Sequence, residues 1–157
     1  MISAKISLST VDRKILRALQ EDGRMSIQAL SDKVGLSPSP CLRRIRKLED
    51  SGVISVYSAT LDQEAIGLPV SVFISVKLER QAAAELDRFA LAIRDWPEVM
   101  ECYLMTGQRD FLLRVVCADL SSYERFLRDN LTRIAGVASI ESSFALGQIK
   151  YSRVLPL

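Results

Sequence analysis

The sequence predicts an α+β protein of two small units in tandem, a winged helix-turn-helix followed by a ferredoxin-like βαββαβ unit. Three observations predict it. Helical periodicity runs through three short segments up to Gly52. The third of these carries Arg43, Arg44, Arg46 and Lys47, with no acidic residue between Val34 and Lys47. Beyond Pro69 the pattern switches to the two-residue alternation of strands.

The first helix opens at Ser9 or Thr10, where Ser9 and Asp12 have the spacing of a capping pair. Val11, Ile15, Leu16 and Leu19 recur on one face, and Gly23 stops the run. Ser26 caps a second helix that buries Ile27, Leu30 and Val34. Gly35 supplies its left-handed end, and Leu36 folds back onto the core. Ser37 is placed to cap the third helix, with Pro38 at its first position and Pro40 still in its first turn. On a helical wheel Cys41, Leu42, Ile45 and Leu48 share the core face. Ser39, Arg43 and Lys47 lie opposite, with Arg44 and Arg46 on the flanks. Gly52 ends this helix, and Val53 to Tyr57 reads as a short strand, the wing.

The run from Ala59 to Pro69 reads as a hinge. The expected boundaries are therefore 8–69 for the first unit, with its helix-turn-helix at about 26–47 and its hinge at 59–69, and 70–157 for the second. Val70, Val72, Ile74, Val76 and Leu78 alternate with Ser71, Phe73, Ser75 and Lys77, which is strand spacing. A helix follows from about Ala82 to Arg94, burying Leu86, Phe89, Ala90 and Ile93, and Trp96-Pro97 stops it. Val99 to Thr106 and Phe111 to Cys117 are two strands joined by the turn Gly107-Gln108-Arg109-Asp110. Leu120 to Ile134 is the second helix, and Val137 to Leu146 is the last strand. Both helices then cover one sheet face. The other face, with Phe73, Leu112 and Val116, is expected to be apolar and open, which makes it an association surface.

Composition narrows the chemistry. At 157 residues, 48% apolar and 25% charged, the chain is ordinary for a folded protein rather than a disordered one. No apolar run reaches the roughly 20 residues that span a bilayer, and no signal-peptide core follows the N-terminus, so a cytoplasmic location is expected. There is no histidine, which removes Ser-His and Cys-His nucleophiles, H-E-x-x-H zinc sites and histidine proton shuttles. Cys41, Cys102 and Cys117 show no C-x-x-C spacing and each sits in an apolar-patterned segment, so buried thiols are expected, with no metal and no disulfide. No enzyme constellation is present. Residues 1–60 carry a net charge of +4 and residues 61–157 a net charge of −2, a basic module joined to a mildly acidic one.

A short helix set against a basic helix suits the major groove of duplex DNA. Ser39, Arg43 and Lys47 are expected to approach base edges, Arg44 and Arg46 to contact phosphates, and Ser37 and Pro40 to open the helix at the groove. The competing reading is a stand-alone amino-acid-sensing module that partners an enzyme through the second unit alone.

The stretches GLSPSPCLRRIRKLEDSGVI, ECYLMTGQRDFLLRV and SSFALGQIKY resemble the Lrp/AsnC ("feast/famine") transcription factors, from about Leu8 to Leu157. The resemblance implies a winged helix-turn-helix joined to a RAM/ACT-like regulatory domain. It further implies homodimers that often assemble into octamers or other closed rings, and a response to a free amino acid, with no other cofactor. It places the effector between regulatory domains, at Thr106, Gly107, Gln108, Arg109 and Asp110 and at Ser143, Phe144 and Ala145. Turn N–H groups could hold a carboxylate and Asp110 an ammonium. Many relatives carry an acid where this chain has Gln108-Arg109, a change expected to retune or to weaken effector binding.

Overall fold

The computed structural model describes residues 7–157, which divide into two compact units. The first comprises residues up to Thr60 together with Lys150–Leu157, and the second is Leu61–Ile149. The tail from Lys150 thus packs with the first unit and not, as expected, with the second.

In the first unit, α1 (Thr10–Glu21), α2 (Ile27–Val34) and α3 (Pro38–Asp50) pack around Ile15, Leu16, Ala18, Leu30, Val34, Cys41, Ile45 and Leu48. Ser9 and Asp12 form a reciprocal capping box at the start of α1. Gly35 closes α2 in the left-handed region (φ 73°), and the Leu36 N–H returns to the Ser31 carbonyl at 2.9 Å. That chain reversal swings α3 across α2. Val53 and Ile54 pack against the core, but Val53–Tyr57 forms no strand, and among the described residues no segment of the unit ladders with it. The tail lies along α1. Leu155 exchanges hydrogen bonds with the Gln20 amide, its N–H donating at 2.6 Å and its carbonyl accepting at 3.3 Å, and the Arg17 Nε donates to the Leu157 carbonyl at 2.9 Å.

The second unit is β1 (Val70–Leu78), α4 (Ala83–Ile93), β2 (Val99–Leu104), β3 (Phe111–Cys117), α5 (Leu120–Asp129) and β4 (Val137–Phe144), with a 3₁₀ turn at Leu131–Arg133. The order β2-β3-β1-β4, antiparallel throughout, is the ferredoxin-like arrangement. Register decides which side chains face the helices. Val72, Ile74, Val76 and Leu78 of β1 and Phe111, Leu113, Val115 and Cys117 of β3 point to the helical face. There they pack with Phe89, Ile93, Tyr123, Phe126 and Leu131. Phe89 stacks on Phe111 with ring centroids 4.4 Å apart, and Trp96 meets Phe126 edge-on. Ala90, expected inside, is exposed and lines a surface concavity beside the edge strand β2.

The open face is less apolar than expected. Phe73 and Tyr103 are exposed there, but between them Arg114 donates to Glu101 at 3.1 Å. Val116 is buried. The segment expected to be a hinge contributes to this face, since Asp62–Gly67 forms one helical turn and Gln63 donates to the Ser71 hydroxyl at 3.0 Å. Cys41 and Cys117 are buried as expected, whereas Cys102 is exposed because β2 is an edge strand.

Two stability effects follow. Leu113→Ala should cost about 2–5 kcal/mol in urea unfolding, since it empties a fully buried position at the sheet centre. Ser9→Ala should cost about 1 kcal/mol through loss of the α1 cap.

Candidate functional site

Two regions hold the residues singled out from the sequence, one in each unit. In the first, α3 is oriented by a buried stripe of Cys41, Ile45 and Leu48. The residues opposite this stripe are held in solvent. Ser39, Arg43, Arg46 and Lys47 line an open concave surface of about 790 Å³, together with Leu42, Asp50 and Ser51. Among the described residues, none of Arg43, Arg46 and Lys47 has an ion-pair or hydrogen-bond partner, so their charges remain available to a polyanion.

Arg44 behaves differently. Its guanidinium bonds the Asp12 carboxylate at 2.9 Å and bridges α3 to α1. Partial burial works against the Asp12 charge, but hydrogen bonds from Ser9 and the Arg44 guanidinium outweigh it and hold the carboxyl below its ordinary value. Ser37 occupies the cap position in extended geometry, yet its hydroxyl makes no capping bond. Pro40 stands third in the helix, where the donating N–H would be, and proline has none. The Ser37 hydroxyl, Pro38 and Ser39 therefore open α3 with few N–H groups to offer. Leu42, assigned to the hidden face from the wheel, is only half-buried.

In the second unit the turn between β2 and β3 holds Thr106 to Asp110. Gly107 takes a φ of 103°, a conformation side chains rarely adopt, which lets the turn close. Thr106, Gly107, Gln108 and Arg109 offer backbone N–H groups with no acceptor among the described residues. Lys77 braces the turn by donating to the Gln108 carbonyl at 3.0 Å. Arg109 donates to the Ser139 hydroxyl at 3.1 Å and pairs with Glu141 on β4.

Asp110 departs from its expected role. It is 4% exposed, and its carboxylate accepts the Leu78 N–H at 2.7 Å and the Gln81 amide at 2.6 Å. It clamps the turn to the end of β1 and does not face outward to meet an ammonium. The turn neighbours Ser139 and Glu141, while Ser143, Phe144 and Ala145 lie toward the other end of β1, beside Phe73, Val72 and Ser71. Within one chain, the two expected groups are therefore offset along β1 by about 10 Å for Ser143 to about 17 Å for Ala145 at strand rise. They also split between faces, for Ser143 is on the open face and Phe144 packs edge-on against Tyr123 on the helical face. Sequence reasoning missed Glu141, whose only signal was its alternation with Ser139 and Ser143 on β4, and Gln81, which had none.

A cationic helix held clear of its own core on a helix-turn-helix frame, in one chain with an antiparallel βαββαβ unit, defines a DNA-binding regulator with a separate second domain. Comparison with known proteins carries this further. Residues 8–55 match the winged helix-turn-helix DNA-binding model, and residues 71–155 match the Lrp/AsnC ligand binding domain. The chain is 49% identical to the Bkd operon transcriptional regulator of Pseudomonas aeruginosa, over 96% of this chain and 98% of that one. It is 37% identical to the DNA-binding transcriptional activator DecR of Escherichia coli, over 96% and 99%. Its fold matches a transcriptional regulator of Neisseria meningitidis solved as an L-Met complex, at TM-score 0.90 and 42% identity, over 96% and 97% of the two chains. The chain belongs to the Lrp/AsnC family of transcriptional regulators. Among the described residues, no helix is long and apolar enough to cross a membrane.

Two measurements check this geometry. The Asp12 carboxyl should titrate below its ordinary 3.8 by NMR and move up in Arg44→Ala, since a lowered folded value means stability present above about pH 4 and lost as pH falls through it. Asp110→Ala strands the Leu78 N–H and should cost about 1–3 kcal/mol, with faster hydrogen exchange at Leu78.

Proposed function

We propose that the exposed face of α3 enters the DNA major groove, and that an amino acid bound by the second unit between copies of the chain controls this binding. Ser39, Arg43 and Lys47 approach base edges. Arg46 and the free Ser37 hydroxyl meet phosphates, with Pro40 shaping the helix start. Arg44 holds α3 on α1 instead of contacting phosphate. The observation that carries the reading is the set of three cations, Arg43, Arg46 and Lys47, left without partners on one side of a helix whose other side is core.

For the effector, the support is a turn rich in free N–H groups beside a guanidinium and a carboxylate. Thr106, Gly107, Gln108 and Arg109 receive the ligand carboxylate, and Glu141, the exposed acid next to the turn, takes the ammonium. Asp110 positions the turn. Ser143, Phe144 and Ala145 complete the site from a neighbouring copy, because they do not reach the turn of their own chain. The L-Met bound to the Neisseria meningitidis regulator supports an amino acid as the ligand class. The open sheet face, with Phe73 and Tyr103, and the unpaired edges of β2 and β4 support a homodimer. Dimers joined through the ligand form a larger ring such as an octamer. A two-fold pair of α3 helices would read sites about 34 Å apart or a multiple of it.

Binding to a duplex selected from a random pool should weaken steeply as salt rises, with Arg46→Ala lowering the log–log slope by about one. Arg43→Ala should cost about 1–3 kcal/mol and relax the selected sequence. Binding without salt dependence would defeat the DNA reading. In a thermal-shift screen of the twenty amino acids, beginning with L-Met, at least one should stabilise the protein, by about 2.7 kcal/mol at 100 times its Kd. That ligand should also change the assembly seen by mass photometry. If none does, the effector reading fails and the DNA reading stands.

A further inference from the structure

We infer that Leu42 is a specificity-determining residue that reads the 5-methyl group of a thymine in the major groove. The inference rests on the proposal above that α3 enters that groove. An aliphatic side chain on an amphipathic helix normally joins the core stripe. Leu42 does not, since it sits about 90° around α3 from the centre of the Cys41, Ile45 and Leu48 stripe. It is half-buried and lies outside both the core cluster and the apolar residues packed against that cluster. Instead it lines the concave surface with Ser39, Arg43, Arg46 and Lys47.

Its place among these residues is specific. Ser39 is three positions before Leu42 and Arg46 four after, so the three form one ridge along the helix. A hydroxyl, an isobutyl group and a guanidinium are thus presented in a row. The polar members suit base-edge or phosphate oxygens. Leu42 requires an apolar contact in the same plane, and a phosphate backbone provides none. In the major groove, the apolar group at a base edge is the thymine methyl. A second copy of this surface is a poor partner, because it would set one patch of unpaired cations against another.

Chemistry separates this role from simple packing, since replacing thymine by deoxyuridine removes the methyl and leaves every hydrogen-bonding group of the base in place. A duplex is selected from a random pool with the full chain, each thymine is then exchanged singly for deoxyuridine, and affinities are measured for wild type and Leu42→Ala. In wild type, one exchange within a recognised site should weaken binding roughly three- to fivefold, the value of one buried methyl. Leu42→Ala should bind the thymine and deoxyuridine duplexes equally, while retaining a cooperative thermal unfolding transition. Should that variant not fold, Leu42→Asn takes its place in the same comparison. A selected site without a methyl-sensitive thymine, or sensitivity that persists in the variant, overturns the inference. An Arg43→Ala protein that binds like wild type would instead overturn the reading of α3 on which it rests.

Discussion

The burial of Cys41, Ile45 and Leu48 against α1 and α2 is the constraint on which the DNA-binding half depends. A helix whose stripe is locked into a close-packed interior has no freedom to rotate about its axis, so every other residue of α3 acquires a fixed direction. Ser39, Arg43, Arg46 and Lys47 face solvent for that reason. The Arg44–Asp12 pair lies on one flank and ties α3 to the capping box of α1. Being a partly exposed pair, it adds orientation more than stability. The two prolines at the start of α3 remove N–H groups that would otherwise need partners, which leaves the serine hydroxyls unoccupied.

The second unit depends on an analogous phase relation, set by β1. This strand pairs on both sides, so its register with β3 and β4 assigns each alternate residue of three strands to the helical or the open face. The effector turn inherits its position from the same strand. Asp110 accepts the Leu78 N–H, and its own N–H donates to the Val76 carbonyl, which stitches the turn to the end of β1 by backbone and side chain together. Lys77 and Arg109 add braces on the open face. Arg109 in the turn is engaged with Glu141 on β4, so a cation and an exposed acid stand side by side there.

Much of this was legible in the chain itself. The caps at Ser9 and Ser26, the left-handed Gly35, and the alternation from Val70 to Leu78 are local signals, because a cap, a turn or a pleat is decided within a few residues. The order of elements and the switch from helical to strand period then led to the fold class. The basic face of α3 was equally visible, since a wheel needs only the spacing of charges.

What the sequence determined, then, was which residues form helices and strands, and which faces are cationic or apolar. Only the tertiary structure decided where neighbouring elements leave a face uncovered or cover it. Leu42 stays outside the core because its side of α3 turns away from the cluster around Cys41, Ile45 and Leu48, and Ala90 is exposed beside the edge strand β2. Val53–Tyr57 carries strand-forming residues but has no strand to pair with among the described residues. Asp110 looks like a surface turn residue until Gln81 and Leu78 are seen to enclose it. Each of these depends on contacts between residues distant in sequence or on the geometry of a chain reversal, and neither is encoded in local periodicity.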